Sequence, residues 1–248
     1  MTVQDAFSLD GKRILVTGAS SGIGREIAVR CAQSGATVVA TGRDEARLRS
    51  LIDELGGEGH GYFTCDLSND DSIKQLAQDV GKFDGIVHSA GIAALAPLRL
   101  ASRSHIEDQF RINALGPILL TQQLLVRNAV NRGGSIVFIS SISAHIGVAG
   151  VGAYGGSKGA LESMARVLSM EVAKRAIRVN CLAPGLVETP MLQAARRTTD
   201  SIDETAARYP LGLGLPDDVA YAAIFFLSSA SRWITGTTLV MDGGHTVG

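Results

Sequence analysis

The chain alternates short runs of apolar and β-branched residues with longer stretches in which apolar positions recur at helical spacing. The strand-like runs cover residues 13–17, 37–41, 62–65, 85–88, 135–140, 178–181 and 237–241. The helical stretches cover residues 23–34, 45–55, 71–80, 105–131, 154–174 and 217–228. Strands separated by helices pair in parallel through right-handed crossovers, and apolar strands suit a sheet covered on both faces. The pattern predicts a single α/β domain over residues 1–248, with a doubly wound parallel sheet of about seven strands and helices on both faces.

Charge and cysteine content narrow the class of protein. The 23 basic and 24 acidic side chains nearly balance, which argues against a nucleic-acid groove or a polybasic membrane surface. Cys31, Cys65 and Cys181 are far apart and odd in number, so they suggest neither disulfides nor a metal site. We recognise no secretory signal, and no apolar run reaches the roughly 20 residues of a transmembrane helix. These features predict a soluble cytoplasmic protein that binds no nucleic acid, membrane or metal.

A glycine-rich turn joins the first strand to the first long helix in the segment T-G-A-S-S-G-I-G. Gly18, Gly22 and Gly24 lack Cβ atoms, so the backbone can approach a pyrophosphate closely, and the helix N-terminus supplies N–H donors. Ser20 and Ser21 can add hydroxyl contacts to phosphate. A glycine triplet alone is a weak signal because turns need glycine. Its position at the first strand–helix junction predicts a dinucleotide site.

The ends of the second and third strands bear on which dinucleotide is bound. The second strand ends in A-T-G-R, without the acidic residue that NAD sites carry about 20 residues after the glycines. Arg43 offers a planar guanidinium that can pair with a 2′-phosphate, which favours NADP(H). The alternative is a solvated Arg43 beside a helix cap at Asp44 or Glu45. Asp66 could accept a hydrogen bond from the adenine amino group, and capping of the next helix is an alternative of nearly equal weight.

Tyr154 and Lys158 are four residues apart in Y-G-G-S-K, so both side chains leave the same face if the segment is helical. The ammonium favours phenolate and would lower a pKa that is ordinarily about 10. Such a phenol can give a proton to a carbonyl oxygen or take one from an alcohol. For this pair in isolation, two surface residues that merely share a helix would be the simpler interpretation.

Five separated motifs change that balance: T-G-A-S-S-G-I-G, Asn113, I-S-S-I-S, Y-G-G-S-K and A-P-G-L-V-E-T-P. In order and spacing they resemble the short-chain dehydrogenase/reductase family. The resemblance covers essentially the whole chain, from Gly11 to the C-terminal I-T-G-T-T-L-V-M-D-G-G. It implies a Rossmann-like sheet of seven strands, a nicotinamide cofactor and a homotetramer or dimer. The apolar stretches at residues 118–125 and 161–172 would suit packing between subunits.

The resemblance assigns four catalytic residues. Tyr154 would be the general acid/base, and Lys158 would lower its pKa and hold the nicotinamide ribose hydroxyls. Ser141, thirteen residues before Tyr154, would hydrogen-bond the substrate oxygen and stabilise alkoxide charge. Asn113 would kink its helix and hold a water that connects Lys158 to solvent.

The resemblance also implies a set of cofactor contacts. In addition to Tyr154 and Lys158, the set comprises Gly18, Ser20, Ser21, Gly22, Ile23, Gly24, Arg43, Asp66, Leu67, Ala90, Gly91, Pro184, Gly185, Val187 and Thr189. The proline and glycine at 184–185 would turn the chain beside the nicotinamide. Val187 and Thr189 would bond its carboxamide.

The chain departs from the family pattern after the fourth strand, where the usual N-N-A-G reads His88-Ser89-Ala90-Gly91. Ala90 and Gly91 still let a cofactor pass close to the backbone. We interpret His88 as a structural residue that ties strands together. His145, four residues after Ser141, is expected to line the substrate entrance.

Among subfamilies, the chain looks most like the 3-oxoacyl-[acyl-carrier-protein] reductases of fatty-acid synthesis, which implies NADPH-dependent reduction of a 3-oxoacyl thioester. Arg132, expected at the end of the long helix after Asn113, and Arg175, at the end of the helix after Tyr154, match arginines that grip the acidic acyl carrier protein. A favourable charge at a helix C-terminus explains both arginines equally well. Substrate choice would depend on the segment 187–215, part of a long irregular region that could contain short helices.

Two alternatives remain open at this stage. The first is an NAD(P)-dependent dehydrogenase of a steroid, sugar or small secondary alcohol on the same scaffold. The second is a non-catalytic dinucleotide-binding scaffold. Loss of Tyr154 or Lys158 would indicate such a scaffold, but the chain keeps both residues, which weighs against it.

Overall fold

A parallel sheet of seven strands forms the centre of the protein in a computed structural model that describes residues 2–197 and 201–247, except the side chain of Ser201. The strands are β1 Arg13–Thr17, β2 Thr37–Gly42, β3 Gly61–Thr64, β4 Phe83–His88, β5 Val130–Ile139, β6 Arg178–Pro184 and β7 Thr238–Met241. Their spatial order is β3-β2-β1-β4-β5-β6-β7, and every neighbouring pair is parallel. The order reverses between β1 and β4, and a doubly wound sheet opens a ligand crevice at the carboxyl ends of such strands.

Helices cover both faces of the sheet, which confirms the predicted doubly wound α/β fold. They are α1 Val3–Phe7, α2 Gly22–Gln33, α3 Glu45–Leu55, α4 Asp70–Asp79, α5 Arg103–Phe110, α6 Gly116–Val126, α7 Gly152–Glu171, α8 Pro190–Arg196, α9 Ser201–Ala206 and α10 Pro216–Leu227. Helices α2, α3 and α10 pack on one face, while α4, α6 and α7 pack on the other. Strand side chains alternate between the two cores: Ile14 and Val16 join the first, and Leu15 joins the second.

The predicted helical stretch at 105–131 is wrong in its last residues, and the chain divides the rest into α5, a π-helical turn at Arg111–Leu115, and α6. Pro117 has no N–H to donate to the carbonyl four residues back, and Gly116 N–H reaches back to the Arg111 carbonyl instead. The helix ends at Val126, before Asn128 adopts a left-handed φ of 52°. Strand β5 therefore starts at Val130, five residues before the predicted start.

The long irregular region before α10 contains α8 and α9, as its sequence allowed. A single bridge pairs Val187 with Gly214 and ties its two ends together. Across the described residues, no helix is long and apolar enough to cross a membrane.

His88, the last residue of β4, joins three elements in the buried core. Its Nε2 lies 2.8 Å from Thr121 Oγ1 on α6, and its ring stacks on Phe138 of β5 with 4.9 Å between centroids. Thr121 Oγ1 donates to the Pro117 carbonyl, so the histidine Nε2 must be the donor in its bond with the threonine. Burial lowers the pKa of His88 to about 3, which keeps the ring neutral at neutral pH. These contacts fit the structural role expected for this residue.

We expect His88→Asn to reduce the loss of stability in mild acid. The ordinary pKa of histidine is 6.5, and that of folded His88 is about 3. Between these two pH values the side chain binds a proton in the unfolded chain but not in the folded protein. The free energy of unfolding of the wild type therefore falls as the pH drops below about 6.5, by roughly 2 kcal/mol at pH 5 from this group. Urea unfolding at pH 7 and pH 5 would measure the difference. If the free energy of unfolding falls equally in the variant and the wild type, the lowered pKa of His88 is contradicted.

Candidate active site

A cavity of about 460 Å³ lies at the carboxyl ends of the strands, at the crevice between β1 and β4. It runs from the tips of β2 and β3 past the β1–α2 turn to the start of α7 and the segment after β6. All of the residues predicted to contact the cofactor line this cavity. Ser141 lines it as well, while Asn113 lies directly behind Gly91.

The β1–α2 turn has the geometry that a phosphate group needs. Gly18 adopts a φ of 68°, and a Cβ on it would lie 2.7 Å from the backbone of Ala90. Ser21 begins α2 without any side-chain hydrogen bond to the helix. By contrast, Asp44 caps α3 and Asn69 caps α4 through their side chains. The first N–H groups of α2 are therefore free to bind an anion in the cavity.

Arg43 and Asp66 stand together at the far end of the cavity. Asp44 caps α3, whereas Arg43 is exposed and forms no ion pair within the described part of the chain. Asp66 does not cap α4. It accepts from Ser68 N at 2.9 Å and Ser68 Oγ at 2.8 Å, and these bonds, with the Arg43 charge, lower the pKa of Asp66. The hydroxyl of Thr41, a residue that also lines the cavity, is buried without a hydrogen-bond partner among the described residues.

Tyr154 and Lys158 lie in the first turns of α7, with Lys158 Nζ 5.8 Å from the centre of the phenol ring. Lys158 is 4% exposed, and its ammonium donates to the Ile139 carbonyl at the end of β5, at 2.8 Å. Burial lowers the pKa of Lys158 to about 8.

The expected lowering of the Tyr154 pKa by Lys158 is not found. Burial raises the pKa of Tyr154, and the hydrogen bond with Ser141 only partly opposes this. The ammonium lies beside the ring and directs a proton to Ile139, so it does not offset the loss of water around the phenol oxygen. The phenol is therefore held in its protonated form at neutral pH, as a proton donor requires.

Asn113 occupies the π-helical turn and is completely buried. Its Oδ1 accepts from Ile92 N at 2.8 Å, and its Nδ2 donates to Ile92 O at 2.9 Å and to Ser157 Oγ at 3.1 Å. A Cβ on Gly91 would lie 3.2 Å from Asn113 Oδ1 and 3.3 Å from Lys158 Nζ, so the three residues meet at one point. The helix is interrupted at Asn113, as expected from the resemblance.

Ser141 follows β5 and caps a 3₁₀ turn at Ile142–Ala144. Its Oγ accepts from Ser143 N at 3.1 Å and contacts Ser143 Oγ at 3.2 Å. The hydroxyl borders the cavity beside Tyr154, which places two hydroxyl groups where one substrate oxygen could meet both.

The segment after β6 closes the cavity on the other side. A Cβ on Gly185 would lie 2.7 Å from the ring of Tyr209, so only glycine fits there. Thr189 caps α8 by accepting from Leu192 N at 3.3 Å and donates to Val187 O at 3.2 Å. These bonds hold the loop against the cavity, and carboxamide binding by Val187 and Thr189 stays a prediction.

Sequence reasoning missed Glu162, a buried carboxylate one helical turn after Lys158. Its Oε1 accepts from Ser140 Oγ at 2.6 Å and lies 3.0 Å from His145 Nε2. His145 is not among the described residues that line the cavity, and its ring lies against Glu162. Its place at the substrate entrance stays a prediction. An acidic residue four positions after the lysine was a usable signal, since i and i+4 share a helix face.

Arg132 and Arg175 lie outside the cavity. Arg132 is in the first residues of β5 rather than at the end of a helix, because α6 stops at Val126. It donates to the Lys174 carbonyl at 2.9 Å, and Arg175 donates to the Val130 carbonyl. The two arginines therefore join the start of β5 to the 3₁₀ turn that follows α7.

No cluster of three or more histidine, cysteine or acidic residues that could hold a metal occurs in the described part of the chain. The three cysteines are buried and unpaired.

The sequence is similar to those of known reductases and dehydrogenases. The sequence model of a family described as Enoyl-(Acyl carrier protein) reductase matches residues 18–246. The chain is 36% identical to a 3-oxoacyl-[acyl-carrier-protein] reductase of Thermotoga maritima, over 96% of this chain and 99% of the relative. It is 35% identical to a D-threitol dehydrogenase of Mycolicibacterium smegmatis, over 100% of this chain and 97% of the relative.

A solved structure from Beutenbergia cavernae that contains NADP at low occupancy superimposes with a TM-score of 0.88. It is 33% identical and covers 98% of this chain and 100% of its own. The free donors at the start of α2 fit the dinucleotide that this family binds. The chain thus belongs to the short-chain dehydrogenase/reductase family and is an oxidoreductase that acts on CH–OH and C=O groups with a nicotinamide dinucleotide.

Proposed function

We propose that this enzyme is an NADPH-dependent reductase of ketones with an apolar body, with a 3-oxoacyl thioester as the preferred class of substrate. The apolar lining of the cavity near Tyr154 carries the proposal. The apolar side chains of the lining include Leu95, Ile142, Ile146, Val148, Val151, Met191, Leu192, Ala195 and Ile202. Among the described lining residues, the charged side chains are Arg43 and Asp66 at the far end and Lys158.

This lining distinguishes the proposal from the polyol alternative. A sugar acid needs a cation for its carboxylate, and a polyol needs several hydrogen-bonding partners. Arg196 of α8 is held by Glu188 and Asp203, each at 3.0 Å, so it does not serve a substrate anion. An acyl chain would instead gain from contact with the apolar wall.

The chain's residues can carry out the proton transfer in the reduction. The bound nicotinamide supplies the hydride to the carbonyl carbon. Tyr154 gives its phenolic proton to the oxygen, and the C=O group becomes CH–OH. Ser141 donates to the same oxygen and stabilises the charge that develops on it. Lys158 is held beside the phenol ring by the Ile139 carbonyl and would hold the nicotinamide ribose hydroxyls.

We expect Tyr154→Phe to lower kcat for a 3-oxoacyl thioester by about 10²-fold or more, because general acid catalysis contributes 10²–10⁴. Binding of NADPH, followed by its fluorescence, should change little. Tyr221→Phe, at a half-exposed tyrosine of α10, is the matched control.

Wild-type turnover should be compared between acetoacetyl thioester, threitol and gluconate. Preferred oxidation of threitol would favour the polyol alternative, turnover of no compound would favour the scaffold, and an active Tyr154→Phe enzyme would overturn the mechanism.

We infer that Arg43 reads the 2′-phosphate of NADPH, since it is exposed, lines the cavity and forms no ion pair with a described acidic residue. Arg43→Asp should lower the NADPH/NADH ratio of kcat/KM by about 10-fold to 100-fold, the effect of losing charge-assisted hydrogen bonds. Arg47→Asp removes a nearby exposed arginine that pairs with Asp44 instead, and it serves as the control. A ratio unchanged in Arg43→Asp would remove Arg43 from the cofactor site.

We also propose that acyl carrier protein docks near Arg132 and Arg175. The proposal is supported by the exposed Arg132 and by the adjacent backbone bonds that bring the two arginines together. Arg132→Glu should raise KM for acetoacetyl-carrier protein several-fold and leave acetoacetyl-CoA unaffected, because only the carrier protein is a large acidic partner. Arg49→Glu on α3, across the sheet, is the control. Equal losses on both substrates would remove the docking proposal.

Self-association into a tetramer or dimer stays a prediction. Val126 of α6 and Val167 and Met170 of α7 are more than half exposed, which supports a second copy packing against these helices. The three free cysteines support a reducing compartment.

A further inference from the structure

The chain after β7 returns to the cavity and brings His245 into its wall. Asp242 fixes this turn, because its carboxylate accepts from Gly244 N at 3.0 Å and Thr246 N at 2.7 Å. His245 N donates to the Asp242 carbonyl at 3.1 Å. The position of His245 is therefore set by the backbone of the turn.

The imidazole ring is held by Tyr209, which is 6% exposed and also lines the cavity. The two rings stack with 4.4 Å between centroids and an angle of 8°. Tyr209 Oη accepts from Leu186 N at 2.9 Å, and its ring packs against Gly185. Because Tyr209 is fixed to the segment after β6, the His245 ring is fixed beside the reacting end of the cavity.

Neither ring nitrogen of His245 forms a hydrogen bond with the described part of the chain. Nδ1 has almost no accessible surface, so Nε2 is the ring nitrogen that a ligand in the cavity could reach. The cavity that His245 lines also carries apolar side chains such as Met191 and Ile202. The imidazole therefore adds a hydrogen-bonding group to a mainly apolar cavity wall.

We propose that His245 determines substrate specificity by hydrogen-bonding a second oxygen of the substrate, separate from the carbonyl that Tyr154 protonates. The substrate class is a ketone with an apolar body and a further carbonyl, as in a 3-oxoacyl thioester or ester. An imidazole nitrogen that carries a hydrogen can donate it to a carbonyl oxygen. Tyr209 is a positioning residue that holds the ring by stacking. This inference rests on the proposed reductase function and adds the group that reads the substrate.

The test compares two substrates of equal chain length, ethyl 3-oxohexanoate and 4-nonanone, which differ in the ester group. His245→Phe keeps an aromatic ring for the Tyr209 stack and removes both nitrogens. We expect it to lower kcat/KM for the ester by about 10-fold, chiefly through KM, and to leave the ketone within about twofold. His245→Gln restores a hydrogen-bonding group and should recover most of the preference for the ester.

Each outcome decides a different point. Equal losses on both substrates, or a loss on the ester that His245→Gln does not recover, would overturn the role of His245 while the reductase function stands. Failure of the wild type to reduce either compound with NADPH would overturn the proposed function and this inference with it. If His245→Phe does not fold, His245→Ala is compared on the same two substrates, with the same expected change in their ratio.

Discussion

The close approach of the tips of β1 and β4 is the constraint on which the rest of the site depends. Gly18 lies so near the backbone of Ala90 that a Cβ would overlap it, and a Cβ on Gly24 would collide with the Gly18 carbonyl. Because both collisions are avoided only by glycine, the turn can stay tight and α2 can start at the sheet edge. The free N–H groups of α2 then face the crevice where the strand order reverses.

The same edge carries a buried polar network that connects the cofactor side to the catalytic side. Asn113 bonds the backbone of Ile92, and Lys158 bonds the backbone of Ile139. Glu162, one turn after Lys158 in α7, accepts a hydrogen bond from the Ser140 hydroxyl. Each group uses its polar atoms on backbone or neighbouring side chains, because an unpaired group at this depth would be costly. The result is that α7 is fixed against the end of β5, which keeps the Tyr154 phenol beside the Ser141 hydroxyl.

The strand and helix pattern anticipated most of the fold because both periods are local properties of the chain. Strands β1, β2, β6 and β7 begin within one residue of their predicted starts. The error at 105–131 came from a stretch that keeps an apolar character across the π-helical turn and into β5. Hydrophobic spacing does not reveal a change of hydrogen-bond register, which here depends on Pro117 and on the contacts of Asn113 with a distant backbone. The misplacement of Arg132 followed from the same error.

Sequence by itself determined the reaction class, since Tyr154, Lys158, Ser141 and the glycine turn are recognisable by spacing, and local spacing survives folding. Only the tertiary structure decided the electrostatics and the walls of the cavity. The pKa of Tyr154 is raised rather than lowered because burial, which no local pattern reports, outweighs the hydrogen bond with Ser141. His145 faces Glu162, and His245 reaches the cavity from the far end of the chain. These placements depend on contacts between residues that are remote in sequence. They therefore follow from the tertiary structure, and no local motif predicts them.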